Sequence, residues 1–174
     1  MKSTLKCTML IFILAVFASA QQADQSTTTE ASLKLRGKEI TIKYAAPSME
    51  GRKIFGDLVP FNEVWPAEGA LATMHTDSAL DIQGLSVPKG DYSLSLLPEE
   101  KAWYLIFNRR RKPSDPWQEL GRVRMRVTAA DEPIETWKIA LSGRGLAGKL
   151  ELGWENSTTS ARFYLDLTKK NSEW

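Results

Sequence analysis

Cysteine and histidine are nearly missing from this chain: one of each occurs in 174 residues, Cys7 and His75. A lone cysteine closes no intramolecular disulfide, so the fold must hold without that staple. Structural zinc takes four Cys or His ligands and catalytic zinc usually about three protein ligands, so the usual zinc chemistry is excluded. No D-x-D-x-D-G loop marks a calcium site, and no G-x-S-x-G elbow marks a serine hydrolase. No metal or other cofactor is expected. An excess of one charge is lacking too, with Lys+Arg 23 against Asp+Glu 21, and nothing in that balance calls for nucleic acid as a partner.

Long apolar runs are equally scarce. The exception, "MLIFILAVFA", follows Lys2 and Lys6 and ends in Ala18-Ser19-Ala20. Basic, apolar and small residues in that order are the layout of a secretory signal peptide, 1–20, cut before Gln21. The run has about ten residues where a bilayer-spanning helix needs about 20. No transmembrane segment is therefore expected after its removal, and the product is expected to be exported, either periplasmic or secreted. Cys7 lies before the run rather than at the cut, where a lipoprotein carries its lipid, and leaves with the leader. Loss of Lys2 and Lys6 makes basic and acidic residues equal in number. The remaining roughly 150 residues suit one domain.

Residues 21–31, "QQADQSTTTEA", are polar without apolar periodicity and predict a disordered linker. A domain over 32–168 and a tail over 169–174 follow. Within the domain, short runs alternate with period two: Ile40, Ile42 and Tyr44; Tyr92, Leu94 and Leu96 against Ser93 and Ser95; Val123, Met125 and Val127 against arginines. Trp137, Ile139 and Leu141, then Leu150, Leu152 and Trp154, then Phe163, Leu165 and Leu167 continue the pattern. One dry and one wet face per strand is the mark of antiparallel sheet. "AWYLIFN" is apolar on both faces and predicts a central strand. Turn signals separate the runs at "VPKGDY", "ADEPIE" and "SGRGLAG". No helical stripe survives after the leader. The expectation is an all-β fold, a single antiparallel β-sandwich or jelly-roll-like domain of eight to ten short strands.

Between Tyr44 and Trp65 lies "YAAPSMEGRKIFGDLVPFNEVW", too apolar for a loop and too rich in Gly and Pro for a regular element. This motif, with "LSVPKGDYSLSLLPEEKAWYLIFN" after it, resembles the bacterial family known as domain of unknown function 2911. The resemblance spans about Ser32 to Leu167 and implies an exported protein without an established activity. After Trp65 the family pattern reads R-T-G-A-N-E-A-T, whereas this chain reads "PAEGALAT". Pro66, Ala70 and Leu71 thus replace an arginine, an asparagine and a glutamate, while Ala72 and Thr73 match. The Tyr44–Trp65 segment is expected to plug one end of the sandwich. The functional alternative makes it a wall of a ligand cleft, with Arg52, Phe55, Trp65 and Thr73 as candidate ligand-binding residues.

His75 is the weak candidate for catalysis, since a histidine base needs a nucleophile and an orienting group that spacing does not single out. Asp57, Glu63, Glu68 and Asp91 are carboxylates near the family motifs, but nothing in the sequence fixes their separations. The clearest charged feature is basic. Arg109, Arg110 and Arg111, with Arg122, Arg124 and Arg126, form two segments that a hairpin would set side by side, a patch for anionic surfaces. Asn156-Ser157-Thr158 matches a glycosylation acceptor and, in a bacterial-looking chain, is read as chance. The combined expectation is an exported, non-catalytic β-sandwich that binds an envelope glycan or protein. The alternative is a periplasmic or secreted hydrolase acting on glycans or esters.

Overall fold

The computed structural model describes residues 28–66, 71–110 and 116–168. The segment 1–20 expected to be a signal peptide and the tail 169–174 lie outside these residues, as does Arg111. The described chain is built from nine strands without a helix: β1 (Thr28–Leu35), β2 (Lys38–Ala45), β3 (Ala72–Thr76), β4 (Ala79–Ile82), β5 (Leu85–Val87), β6 (Gly90–Pro98), β7 (Ala102–Arg109), β8 (Gln118–Arg144) and β9 (Ala147–Asp166). All pair antiparallel in one sheet of order β1-β2-β3-β6-β7-β8-β9-β4-β5. Among the described residues no helix is long and apolar enough to cross a membrane.

Local chemistry sets the reversals. β1 and β2 are joined by Arg36 and Gly37, and β4 and β5 by Gln83 and Gly84, with positive φ at all four residues. Two consecutive positive φ values make a type I′ hairpin turn, whose twist matches that of the strands, and glycine in the second position carries no Cβ penalty. Gly148 answers a different need. A Cβ there would sit 2.1 Å from the Phe163 ring, so the absent side chain is what leaves room for that ring.

The sheet becomes a sandwich because β8 changes partner. Its first part pairs with β7 as far as Arg126, and from Val127 onward it pairs with β9. Register shifts at Ala129–Ile134 and Ile134–Lys138 bend it where it crosses between layers. Ile40, Ile42, Leu94 and Leu96 of one layer then share a single core with Ile139, Leu150, Leu152 and Phe163 of the other. Tyr44 spans the gap, its hydroxyl donating to the Ile139 carbonyl at 3.2 Å. β7, apolar on both faces, is the middle strand of the nine, as its pattern predicts.

Four expectations change. "ADEPIE" is not a turn but the bulged middle of β8, so two predicted strands are one, and β9 likewise absorbs two. Pro133 reads as a breaker because it cannot donate to a ladder; it is tolerated where β8 and β9 fall out of register. β1 begins at Thr28, so the end of the polar lead-in is strand paired to β2. Ser93 and Ser95 are buried rather than wet, with Asn108 Nδ2 donating to the Ser93 carbonyl and Ser95 Oγ at 3.5 Å each. Leu167 lies past the end of β9 and is exposed.

The irregular segment between β2 and β3 closes one end of the sandwich. Its start bonds to β8, through Met49 N to Glu135 O and Trp137 N to Pro47 O, and its end bridges β6 through Trp65 and Leu96. Ile54 and Val59 are fully buried and Phe55 nearly so. The Glu155 carboxylate accepts from Phe55 N at 3.1 Å, fixing the segment to β9. Phe55 and Trp65 complete an aromatic cluster with Trp103, Trp137 and Trp154, ring centres 4.6 to 6.4 Å apart. Such tilted and edge-on pairs each add about 0.5–1.5 kcal/mol beyond area burial. Replacing Trp65 with Ala is expected to cost about 3 kcal/mol, the lower end for an aromatic truncation because Trp65 is only partly buried. Urea unfolding checks this, and an unchanged midpoint would show that the segment is not part of the core.

Candidate functional site

Antiparallel register lines up outward side chains from distant parts of the chain. Thr41 of β2 lies opposite His75 of β3, which lies opposite Asp91 of β6. Arg109 pairs with Tyr92 on one side and Gln118 on the other, so Arg110 and Trp117, one residue beyond each strand, continue the row. The Arg110 guanidinium carbon sits 4.6 Å from the centre of the Trp117 ring, a cation–π contact. Lys43 and Thr73 face each other one row along. Thr41, Lys43, Thr73, His75, Asp91, Arg110 and Trp117 line an open groove of about 310 Å³ on the outer face of the sheet. Ala45, Leu71 and Thr28 line a second hollow of about 300 Å³ that shares Lys43 and Thr73 with the first.

His75 is gripped from both sides. Its Nδ1 lies 2.7 Å from Asp91 Oδ1 and its Nε2 lies 3.4 Å from Asp77 Oδ1. The hydrogen bond to Asp91 raises the imidazole pKa above its usual 6.5; partial burial opposes this and Asp77 adds to it. Asp77 is pushed down in turn, first by the backbone N–H of Glu39 and then by His75. With a carboxylate beside each nitrogen, the protonated ring is favoured over the neutral one, and once protonated it can donate to both. Among the described residues no hydroxyl or thiol hydrogen-bonds to it, so the nucleophile–base contact of acyl-transfer sites is not formed. No group of three or more His, Cys, Asp or Glu among the described residues is placed to hold a metal ion.

Of the residues singled out in the sequence, the structure brings His75, Thr73 and Arg110 together in the groove. Phe55 and Trp65 face the core instead. Arg52 organises its own turn, donating to the Met49 and Ser48 carbonyls at 3.0 and 3.1 Å. Of the described basic residues, Arg110, Arg122, Arg124 and Arg126 fall on one face of the sheet, that of His75. Arg109 lies opposite buried Tyr92, on the other face from Arg110. Arg122 is bound in two hydrogen bonds by Glu119, at 2.8 and 2.7 Å. Arg124 and Arg126 are exposed farther along β8. Leu71, where the family pattern has glutamate, is buried, and the Trp65–Pro66 peptide is cis.

Sequence reasoning missed Thr41, Lys43 and Trp117 and left Asp91 among scattered carboxylates. Spacing gives no access to them, because strand register alone places them beside His75.

An antiparallel sandwich with a small polar groove on an outer face, backed by a solid core, defines a β-sandwich domain with a candidate binding face. The chain belongs to the family described as protein of unknown function (DUF2911), whose model matches residues 26–163. No curated protein and no solved structure matches it.

The His75 grip makes stability depend on pH in a definite direction. A folded-state pKa above 6.5 adds stability that is complete below the unfolded value and is lost as pH rises through the folded one. Both partners are well exposed, so after solvent screening the contribution is about 0.5 kcal/mol, or roughly 1–3 °C in Tm. Thermal melts of the protein and of His75→Gln should converge between about pH 5.5 and pH 8.5. A difference that does not shrink with pH contradicts the grip.

Proposed function

We propose that this chain is an exported, non-catalytic binding module that holds a glycan of the cell envelope in the groove on its outer face. The observation that carries the reading is the indole of Trp117, 37% exposed, in a groove that also presents the hydroxyls of Thr41 and Thr73, the ammonium of Lys43 and the carboxylate of Asp91. A sugar ring presents an apolar C–H face and a rim of hydroxyls. A flat exposed aromatic beside several hydrogen-bonding groups is the complementary surface. The hydroxyls of Thr41 and Thr73 have no side-chain hydrogen bond among the described residues, which leaves them for a ligand. Export is supported by the basic-apolar-small order of residues 1–20.

The 2.7 Å contact between His75 and Asp91 favours the second reading, a hydrolase of glycans or esters, because a carboxylate on Nδ1 is how such enzymes orient a histidine. Against it stands Asp77 on the other nitrogen, where a nucleophile would be needed.

The exported product, with Gln21 at its N-terminus, is expected to bind discrete envelope glycans on an array. Trp117→Ala should weaken that binding at least about tenfold, as loss of a stacking plate does. Absence of binding, or binding indifferent to Trp117, would reject the module reading. Turnover of glycan or ester substrates that His75→Ala abolishes would establish the hydrolase instead.

A further inference from the structure

The groove does not end at Lys43. Lys43 and Thr73 line both hollows, so the two are adjoining compartments along β2 and β3 rather than separate dimples. Each is near the lower limit of volume for a small-ligand site. An occupant that uses the exposed Trp117 at one end and the Leu71 side at the other has to be a chain.

The charges set its sign. Lys43 and Arg110 face the first hollow, and Asp91 is the only carboxylate among its described lining residues. Asp91 is already bonded to His75 at 2.7 Å. Among the described residues Lys43 has only a loose counter-charge in Glu30, at 3.8 Å, with both side chains more than half exposed, a pair of little energetic weight. The second hollow adds no other charged group: Thr28 contributes a hydroxyl, and Ala45 and Leu71 contribute apolar surface. A cation stands where the compartments meet, between an aromatic plate and a hollow without further charge.

We infer that the ligand is an acidic linear oligosaccharide lying along both hollows, with a carboxylate against Lys43 and a sugar ring on Trp117. This deepens the glycan reading and rests on it. In this arrangement Lys43 selects for the acid group, Trp117 supplies stacking that ignores charge, and the second hollow makes affinity depend on chain length.

Titration calorimetry of the purified protein with tetragalacturonate, its methyl ester and digalacturonate tests each part. Methyl esterification removes the charge and keeps the sugar skeleton. Tetragalacturonate is expected to bind at least tenfold more tightly than its ester. Lys43→Ala should abolish that preference without weakening the ester, and Trp117→Ala should weaken both probes alike. Digalacturonate should bind at least threefold more weakly than the tetramer. Both substitutions are on the surface, and unchanged circular dichroism and Tm confirm that each variant is folded.

Equal binding of acid and ester, or indifference to Lys43→Ala, overturns the acidic ligand. The glycan reading then stands if Trp117→Ala still removes binding. Equal affinity for dimer and tetramer removes the second hollow from the site. No binding of tetragalacturonate at millimolar concentration also overturns the inference, while the glycan array decides the broader reading separately.

Discussion

Contact among five aromatic rings is the interaction on which the rest of this structure depends. Trp103 comes from β7, Trp137 from the far part of β8, Trp154 from β9, and Phe55 and Trp65 from the irregular segment. Both layers and the end plug therefore meet at one point. With no disulfide available, area burial must do the joining, and large aromatic side chains remove the most surface from water per residue ordered. The cluster accepts a cost for this: Trp137 Nε1 is buried without a hydrogen-bond partner among the described residues, a defect of about 1–3 kcal/mol. Trp154 avoids it by donating to the Glu135 carbonyl at 3.3 Å.

The outer groove inherits its geometry from that core. β2, β3, β6 and β7 are held in register because their inner side chains, Ile42, Met74, Tyr92 and Phe107 among them, are locked in the interior. A slip of one residue would turn each of these outward. The same constraint fixes Lys43, Thr73, His75, Asp91 and Arg110 on the outer face. The groove lies mainly on strands, with Arg110 and Trp117 one residue beyond β7 and β8, and the contacts of His75 with Asp91 and Asp77 hold its polar part in place.

Much of the fold is legible in the sequence, and most of the groove is not. Period-two alternation identifies β2 and β6, and apolar character on both faces identifies β7 as central, because burial acts on each strand locally. The long strands escape such a reading. "ADEPIE" carries a proline and three acids, and only the bulged pairing with β9 makes it compatible with β8. His75 is visible as the one histidine and Thr73 through the family pattern. Lys43, Asp91 and Trp117 become neighbours of these two only through pairing between strands remote in the chain. The same limit applies to Phe55 and Trp65, whose aromatic character suits a cleft wall as well as a core, until the layers on either side are known.

Native-state hydrogen exchange tests the central claim most directly. If one aromatic-centred core joins both layers and the plug, slowly exchanging amides of β2, β6, β8 and β9 should share one opening free energy, equal to that of global unfolding. The bridging amides of Trp65 and Leu96 should belong to the same group. Two distinct free energies, one for the layer of β2, β3 and β6 and another for that of β4, β5 and β9, would contradict it.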